Sequence, residues 1–169
     1  MDLLEYVRRQ YGYVEWSNNR VLEAAAALGE AELLKERDVP YGSIANDLSH
    51  IVRTQIWWLS VLEDKPERPP EFPQTDIIAN LRRWCEDSHG ALRRFLDSLT
   101  EEGLVQKVGA TRPSGERYEW VRWHLLMHLA NHSIQHRAEV GIAVASLGSS
   151  PGDIDFLDYL AHLGVETRP

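Results

Sequence analysis

A proline-rich segment in the middle of the chain limits how its helices can be connected. The segment KPERPPEFPQT, residues 65–75, contains four prolines within eight positions and separates two long helical patterns. Proline-rich chain is extended and stiff, at about 3.1 Å per residue, so the segment can span roughly 30 Å. That is about the length of a 20-residue helix, and a tight hairpin between antiparallel helices needs no such reach. We therefore predict that the two flanking helices run parallel and are joined by a crossover.

Four long stretches of the sequence repeat apolar residues at intervals of three and four, which is the spacing of one helix face. They cover residues 2–28, 43–64, 75–99 and 118–147. Gly29 is a natural stop for the first helix, and Ser43 is a good N-cap for the second. We predict an all-α fold, a four-helix bundle with a long crossover between its second and third helices.

Shorter patterns fill the connections between these helices. One helical turn is predicted at residues 31–35, a small hairpin within VQKVGATRPSGERYEW (residues 105–120), and a short C-terminal helix at residues 153–163. The length of 169 residues is close to the usual size of one domain. We therefore expect a single domain over residues 1–169.

Composition and charge exclude several functions. The formal net charge is −8, and basic residues come only in pairs such as Arg82–Arg83, which argues against binding to nucleic acid. No apolar run approaches the roughly 18 residues of a membrane span, and the N-terminus, with Asp2 and Glu5, does not resemble a signal peptide. Cys85 is the only cysteine, which leaves no intrachain disulfide and no cysteine-based zinc site. We expect a soluble, cytoplasmic protein.

Histidine is the unusual residue of this chain. Four of the seven histidines, at positions 124, 128, 132 and 136, follow one another at intervals of four. Neighbours at this spacing lie about 5–6 Å apart at Cβ on one helix face, so any adjacent pair can chelate a metal ion. Imidazole suits zinc, nickel, copper or iron. Alternatively, these histidines make hydrogen bonds in the core or at an interface.

Two histidines of one helix leave a metal incompletely coordinated, so a third ligand has to come from another helix. His50 is the best candidate, because it lies in the middle of the apolar segment LSHIVRTQIWWL of the second predicted helix. His89 lies in the polar sequence CEDSHG, and His162 lies near the C-terminus. We interpret both of these as exposed histidines.

Four blocks of this sequence, in the right order, resemble the DinB family of helical metalloproteins. They are YVEWSNNRVLEAAAAL in the first predicted helix, GSIANDLSHIVRTQIWWLSVL in the second, HLANHSIQHRAEV in the fourth, and LGSSPGDIDFLDYL near the end. The third block is similar to the family's His-x-x-Asn-His-x-x-x-His-Arg-Gly-Gln stretch. The resemblance covers nearly the whole chain.

The resemblance implies a bundle with parallel middle helices and a metal held by His50, His132 and His136. His128 matches a family histidine that is not usually a ligand, whereas His124 has no such match. Zinc is the expected ion, with nickel as an alternative. The resemblance also suggests a homodimer.

The sequence departs from the family pattern at Ala138–Glu139, where many members have Gly-Gln. Glu139 follows His132 by seven residues and therefore lies within about 20° of it around the helix. In that position Glu139 can act as a catalytic general base, as a fourth ligand or as an orienter of an imidazole. It can equally be an exposed helix carboxylate.

Three neutral histidines leave positions on a metal ion for water or substrate, as in catalytic zinc sites. Members of the family transfer low-molecular-weight thiols, such as bacillithiol or mycothiol, to electrophiles. The resemblance therefore implies a metal-dependent enzyme with a small-molecule substrate, a thiol S-transferase first and a metal-assisted hydrolase second. The alternative is a non-catalytic metal-binding stress-response protein, in which the ion ties the second and fourth helices together.

Overall fold

The computed structural model describes residues 2–111 and 114–165, and within these ranges the chain is mostly helical. The helices, in chain order, are α1 (Leu3–Ala26), α2 (Glu30–Leu34), α3 (Ile44–Leu62), α4 (Ile77–Ser98), α5 (Glu101–Leu104), α6 (Arg122–Ser146) and α7 (Phe156–His162). Two short strands, β1 (Lys107–Thr111) and β2 (Arg117–Val121), pair in antiparallel fashion. Among the helices of the described ranges, none combines the length and apolar character needed to span a bilayer.

A side-chain cap defines where α3 begins. Ser43 Oγ accepts a hydrogen bond from the amide of Asn46 at 3.2 Å, which confirms Ser43 as the predicted N-cap. Asp2 Oδ1 caps α1 in the same way, through the amide of Glu5. Because α3 starts directly after Ser43, His50 lies in the second turn of a helix whose start is set by this cap.

Two predicted helix stops adopt the backbone conformation that favours glycine. Gly29, after α1, has a φ of 82°, and Gly148, after α6, has a φ of 85°. A residue with a Cβ is strained at such positive φ angles, whereas glycine is not. The first and fourth long helices therefore end where the sequence predicts.

The strand β2 replaces the start of the fourth predicted helix. The periodicity predicts a helix from Tyr118, which is wrong, because α6 begins at Arg122 and the four residues before it belong to β2. Their backbone pairs with β1, with Trp120 opposite the buried Val108. Aromatic and β-branched residues favour a strand when a partner strand is available. The predicted hairpin is confirmed, and its residues 112–113 lie outside the described ranges.

The four long helices pack against one another in pairs. Both α1 and α3 contact α4, and both also contact α6. Their apolar faces form two clusters of buried residues, which include Val7, Leu62, Leu96 and Leu126 in the first and Val21, Ile44, Leu81 and Val140 in the second. Burial of these faces stabilises the packing of α3 on α6, the helices that carry His50 and the row of four histidines.

A buried polar cluster links α1 to α6. Asn18 Oδ1 accepts hydrogen bonds from Arg137 Nη1 at 3.0 Å and from Ser133 Oγ at 3.1 Å. Arg137 Nη2 donates to Tyr13 Oη at 3.0 Å, and its guanidinium lies over the ring of Tyr13. Burial lowers the pKa of Arg137, and among the described residues no carboxylate forms an ion pair with it. The buried cation of Arg137 is therefore hydrogen-bonded to neutral side chains of α1, and these bonds hold α6 against α1.

Candidate metal centre

The structure brings three histidines from two helices together. His50 projects from α3, and His132 and His136 project from successive turns of α6. His50 Nε2 and His132 Nε2 are 3.1 Å apart, and one nitrogen from each of the three rings lies within 4.8 Å of the others. His136 is buried, whereas His50 and His132 are half-buried, and His50 lines the cavity described below. Three imidazole nitrogens therefore converge on one point at the contact of α3 with α6.

The spacing of these nitrogens fits a divalent transition metal. With metal–nitrogen bonds of about 2.0–2.1 Å, two nitrogens of a tetrahedral zinc site are about 3.3 Å apart. The 3.1 Å between His50 Nε2 and His132 Nε2 is close to that value. Three neutral imidazoles are a donor set that suits zinc, nickel, copper or iron. The group could therefore hold a metal ion.

The protonation of two of the histidines also suits a metal ligand. Burial, together with the neighbouring His136 and Arg53, lowers the pKa of His50 to about 4. Burial, together with the neighbouring His136 and His50, likewise lowers the pKa of His132 to about 4. Both imidazoles are neutral at pH 7, so each has a lone pair that can bind a cation.

Glu139 contacts the third histidine directly. Its Oε2 lies 2.7 Å from His136 Nδ1, and its side chain is half-buried beside the ring. A neutral His136 that donates its Nδ1–H to this carboxylate keeps the lone pair on Nε2. Of the roles open to Glu139 from the sequence, this contact matches the orienter of an imidazole.

Tyr41, which the sequence analysis did not single out, covers His50. The two rings stack with centroids 4.0 Å apart, and Tyr41 Oη lies 2.9 Å from His50 Nε2. Tyr41 also meets the ring of His136 edge-on, with centroids 5.7 Å apart. It lies two residues before the Ser43 cap, a position that places it beside the first turns of α3. That proximity to a predicted N-cap is the one signal in the sequence that points to it.

A buried carboxylate holds Tyr41 in this position. Asp47 Oδ1 accepts a hydrogen bond from the amide of Tyr41 at 3.0 Å. Burial raises the pKa of Asp47, and the nearby negative charge of Glu139 raises it as well, while the amide of Tyr41 opposes both. Asp47 Oδ2 is buried and has no hydrogen-bond partner among the described residues. The hydrogen bond from its amide thus attaches Tyr41, which precedes α3, to the first turn of that helix.

The remaining histidines do not belong to this group, although the ring centroid of His128 lies 6.1 Å from that of His132. His128 is exposed and meets Trp58 edge-on, with centroids 5.3 Å apart, and His124 is exposed beside Trp123. His162 is exposed, as predicted. The expectation that His89 is exposed is wrong, because only 5% of its surface is accessible.

His89 is buried because it lies on the apolar face of α4. That face contains Cys85, Leu92 and Leu96, which are spaced from His89 at helical intervals of three and four. Burial lowers the pKa of His89 to about 4, so the ring is neutral in the core. Of the polar residues that precede His89, Glu86 and Asp87 lie on the exposed face of the same helix, whereas Ser88 is buried like His89.

An open cavity adjoins His50. Its volume is about 490 Å³. The residues that line it come from α3 and from the segments on either side of that helix, and they include Tyr41, His50, Arg53, Trp57, Arg68 and Pro69. Small molecules can therefore reach one edge of the three-histidine group from solvent.

These observations define a class of protein: a mostly helical chain with a candidate three-histidine metal centre between two of its long helices. A comparison with protein families gives the family. The model of the DinB family matches residues 4–167, nearly the whole chain, and the chain belongs to this family. A search of curated proteins finds none that matches the sequence.

Proposed function

We propose that His50, His132 and His136 bind one divalent transition-metal ion, zinc first and nickel as the alternative. The observation that carries this proposal is the 3.1 Å between the Nε2 atoms of His50 and His132, with His136 beside both. Membership of the DinB family supports it independently. Neither line of support depends on the identity of the ion.

We propose further that the metal centre is catalytic, as a thiol S-transferase or, second, as a metal-assisted hydrolase. Three protein ligands leave a position for an exogenous group, and a bound divalent ion supplies either an acidified water or a deprotonated thiol. The chain's own residues then have separate tasks. Glu139 holds the proton of His136 at Nδ1, Tyr41 restricts access of water to His50, and the adjoining cavity binds the substrate.

A non-catalytic role is the second candidate, and one observation favours it. The three histidines belong to two different helices, so a bound ion would link α3 to α6. A metal-binding stress-response protein needs only that link and a stable fold. Turnover of a thiol with an electrophile, lost on chelation and restored by metal, would separate the catalytic role from this one.

We also propose that the long helices form one four-helix bundle, as a single domain over residues 1–169, with α3 parallel to α4. Contacts between helices support these directions. Arg8, early in α1, donates to the carbonyl of Leu96, late in α4, so α1 and α4 are antiparallel. Arg122, at the start of α6, donates to the carbonyl of Leu62 at the end of α3.

The direction of α6 relative to α1 completes this argument. Tyr11 Oη donates to the carbonyl of Leu126 at 2.7 Å, and Asn18 contacts Arg137 further along both helices. The helices α1 and α6 therefore run in the same direction, while α3 is antiparallel to α6 and α4 is antiparallel to α1. These relations support α3 parallel to α4, with the proline-rich segment as the crossover that joins them.

Metal analysis tests the proposed centre. We would measure zinc and nickel by mass spectrometry in untagged protein, in His50→Ala and His132→Ala, and in His124→Ala as the control. About one ion per chain is expected in the wild type and in the control, and less than about a tenth of that in the two site variants. Equal metal in all four proteins, or none in the wild type, would contradict the three-histidine site.

A homodimer remains part of the proposal. Light scattering on the protein as it elutes from a size-exclusion column would measure its mass directly. A mass close to twice the chain's 19.4 kDa is expected, and a mass equal to one chain would contradict the dimer.

A further inference from the structure

Two arginines at the cavity beside His50 already share a carboxylate. Arg53 Nη2 lies 3.2 Å from Glu71 Oε2, and Arg68 Nη2 lies 3.2 Å from Glu71 Oε1. Both arginines line the cavity, whereas Glu71 does not. One negative charge between two positive ones leaves a net positive charge at this place in a chain whose formal net charge is −8.

Arg53 is the arginine closer to the metal centre. It follows His50 by three residues on α3, a spacing that places the two Cβ atoms about 5–6 Å apart. The positive charge of Arg53 contributes to the lowered pKa of His50, which agrees with this proximity. Arg53 and His50 therefore lie next to each other on the wall of the same cavity.

The ion pair that Arg53 makes with Glu71 is open to exchange with a ligand from solvent. The side chain of Arg53 is 30% exposed, and its Nε atom is buried with no hydrogen-bond partner among the described residues. Its one carboxylate partner, Glu71, is 73% exposed, and Arg68 is 84% exposed. Exposed ion pairs contribute little stability, so a carboxylate that enters from solvent can replace Glu71 with small loss. Such a ligand would bond to Arg53 Nη2 in place of Glu71, with Arg68 Nη2 beside it, because guanidinium groups make strong charge-assisted hydrogen bonds to carboxylates.

We propose that the cavity binds a substrate through a carboxylate group, with Arg53 as its principal anchor and Arg68 as a second contact. The substrate class is a small thiol that carries a carboxylate, with its sulfur directed to the three histidines and the indole of Trp57 against its apolar part. This inference rests on the proposed metal function, because the histidines are what the thiol would approach. Glu71 acts as an internal competitor that occupies the arginines when substrate is absent.

Two pairs of probes test this proposal with and without a metal. Cobalt-loaded full-length protein is titrated with N-acetylcysteine and with N-acetylcysteinamide, which differ only in carboxylate against carboxamide, and the sulfur-to-cobalt absorption band is measured. Each thiol binds as thiolate and releases its proton to the buffer. Metal-free protein is then titrated with N-acetylalanine and N-acetylalaninamide by calorimetry, which detects the arginine site alone.

Substitution of Arg53 and substitution of Glu71 are expected to change the affinity for N-acetylcysteine in opposite directions. N-acetylcysteine is expected to bind at least about ten-fold more tightly than its amide, and Arg53→Gln is expected to abolish that preference. Glu71→Gln, which removes the competitor, is expected to tighten N-acetylcysteine binding about three-fold. Arg53→Lys keeps the charge but not the paired donors and is expected to retain part of the preference. Arg82→Gln breaks the exposed pair with Glu23 and is the matched control, with no expected change.

The outcomes separate this inference from the metal proposal. If cobalt binds but the acid and the amide bind equally in wild type and in Arg53→Gln, the carboxylate site is wrong and the metal centre stands. If cobalt does not bind but N-acetylalanine binds in an Arg53-dependent manner, the metal proposal fails and the carboxylate site stands. If neither acid is preferred over its amide in either experiment, the inference is overturned. Melting curves of each variant show whether a loss of binding reflects a loss of folding.

Discussion

His50 Nε2 and His132 Nε2 approach to 3.1 Å across the contact of α3 with α6. Both rings are neutral at pH 7, so this distance requires that one Nε2 carries a proton and donates to the other, or that a cation lies between them. Tyr41 Oη lies 2.9 Å from the same His50 nitrogen and competes for it. The third imidazole, that of His136, which lies beside both rings, and the match to the DinB family favour a metal over an ordinary hydrogen-bonded pair.

Metal binding is expected to persist in mild acid. A free histidine gains its proton near pH 6.5, whereas burial lowers the pKa of His50 and His132 to about 4. Between these two values the folded protein keeps both rings neutral, so protons displace the ion only as the pH falls towards about 4. Metal content after dialysis at a series of pH values checks this. A loss of metal centred near pH 6.5 would contradict it.

Glu139→Gln is expected to weaken metal binding without abolishing it. Glu139 Oε2 lies 2.7 Å from His136 Nδ1 and accepts a hydrogen bond from its N–H, and loss of such an outer contact typically reduces metal affinity by about 10–100-fold. Competition against a chromophoric chelator measures the affinity. Glu86→Gln, an exposed carboxylate on α4, is the control and should bind metal as the wild type does. Unchanged affinity in Glu139→Gln would show that the contact does not support the site.

Much of this site could be predicted from the sequence, because two of its three histidines are close to each other along one helix. His132 and His136 are four residues apart on a helix, so they share a face whatever the rest of the chain does. The apolar stripe around His50, together with the family resemblance, placed the third imidazole on another helix. The Ser43 cap then set the start of that helix within one residue.

The parts that sequence reasoning missed depend on contacts between distant segments or on mixed patterns. Tyr41 covers His50 because the loop before α3 folds back and its amide bonds to Asp47, which no periodicity reports. His89 is buried although its sequence neighbours are polar, because residues close together along a helix can lie on different faces, some buried and some exposed. The predicted start of the fourth helix was wrong because the sequence around Tyr118 is compatible with a strand as well as with a helix. The pairing with β1 decides in favour of the strand.

Tyr41→Phe is expected to raise the affinity for metal. The Tyr41 hydroxyl bonds to His50 Nε2, which is the atom offered to the ion, so that hydrogen bond has to break before metal binds. A hydrogen bond of this kind contributes about 0.5–1.5 kcal/mol, which corresponds to a gain of about 2–10-fold in affinity. The same chelator competition measures it, with Tyr6→Phe, an exposed tyrosine on α1, as the control. A lower affinity would instead identify the hydroxyl as a ligand.

Asn18→Leu is expected to destabilise the fold through Arg137. Asn18 Oδ1 accepts hydrogen bonds from Arg137 Nη1 and from Ser133 Oγ, and all three side chains are buried. Leucine would leave a buried cation with Tyr13 as its remaining partner, and uncompensated buried charges of this kind cost about 2–5 kcal/mol. Urea unfolding measures the loss, and Asn19→Leu, the exposed neighbour on α1, is the matched control.

The double variant Asn18→Leu/Arg137→Met decides whether the loss comes from the stranded charge. Because methionine removes the cation that Asn18 compensates, the double variant is expected to lose less stability than the sum of the two single variants. The difference between the sum and the double variant should be about 1 kcal/mol or more, since the two side chains are in direct contact. Additive losses would mean that the two residues stabilise the α1–α6 packing independently, by shape alone.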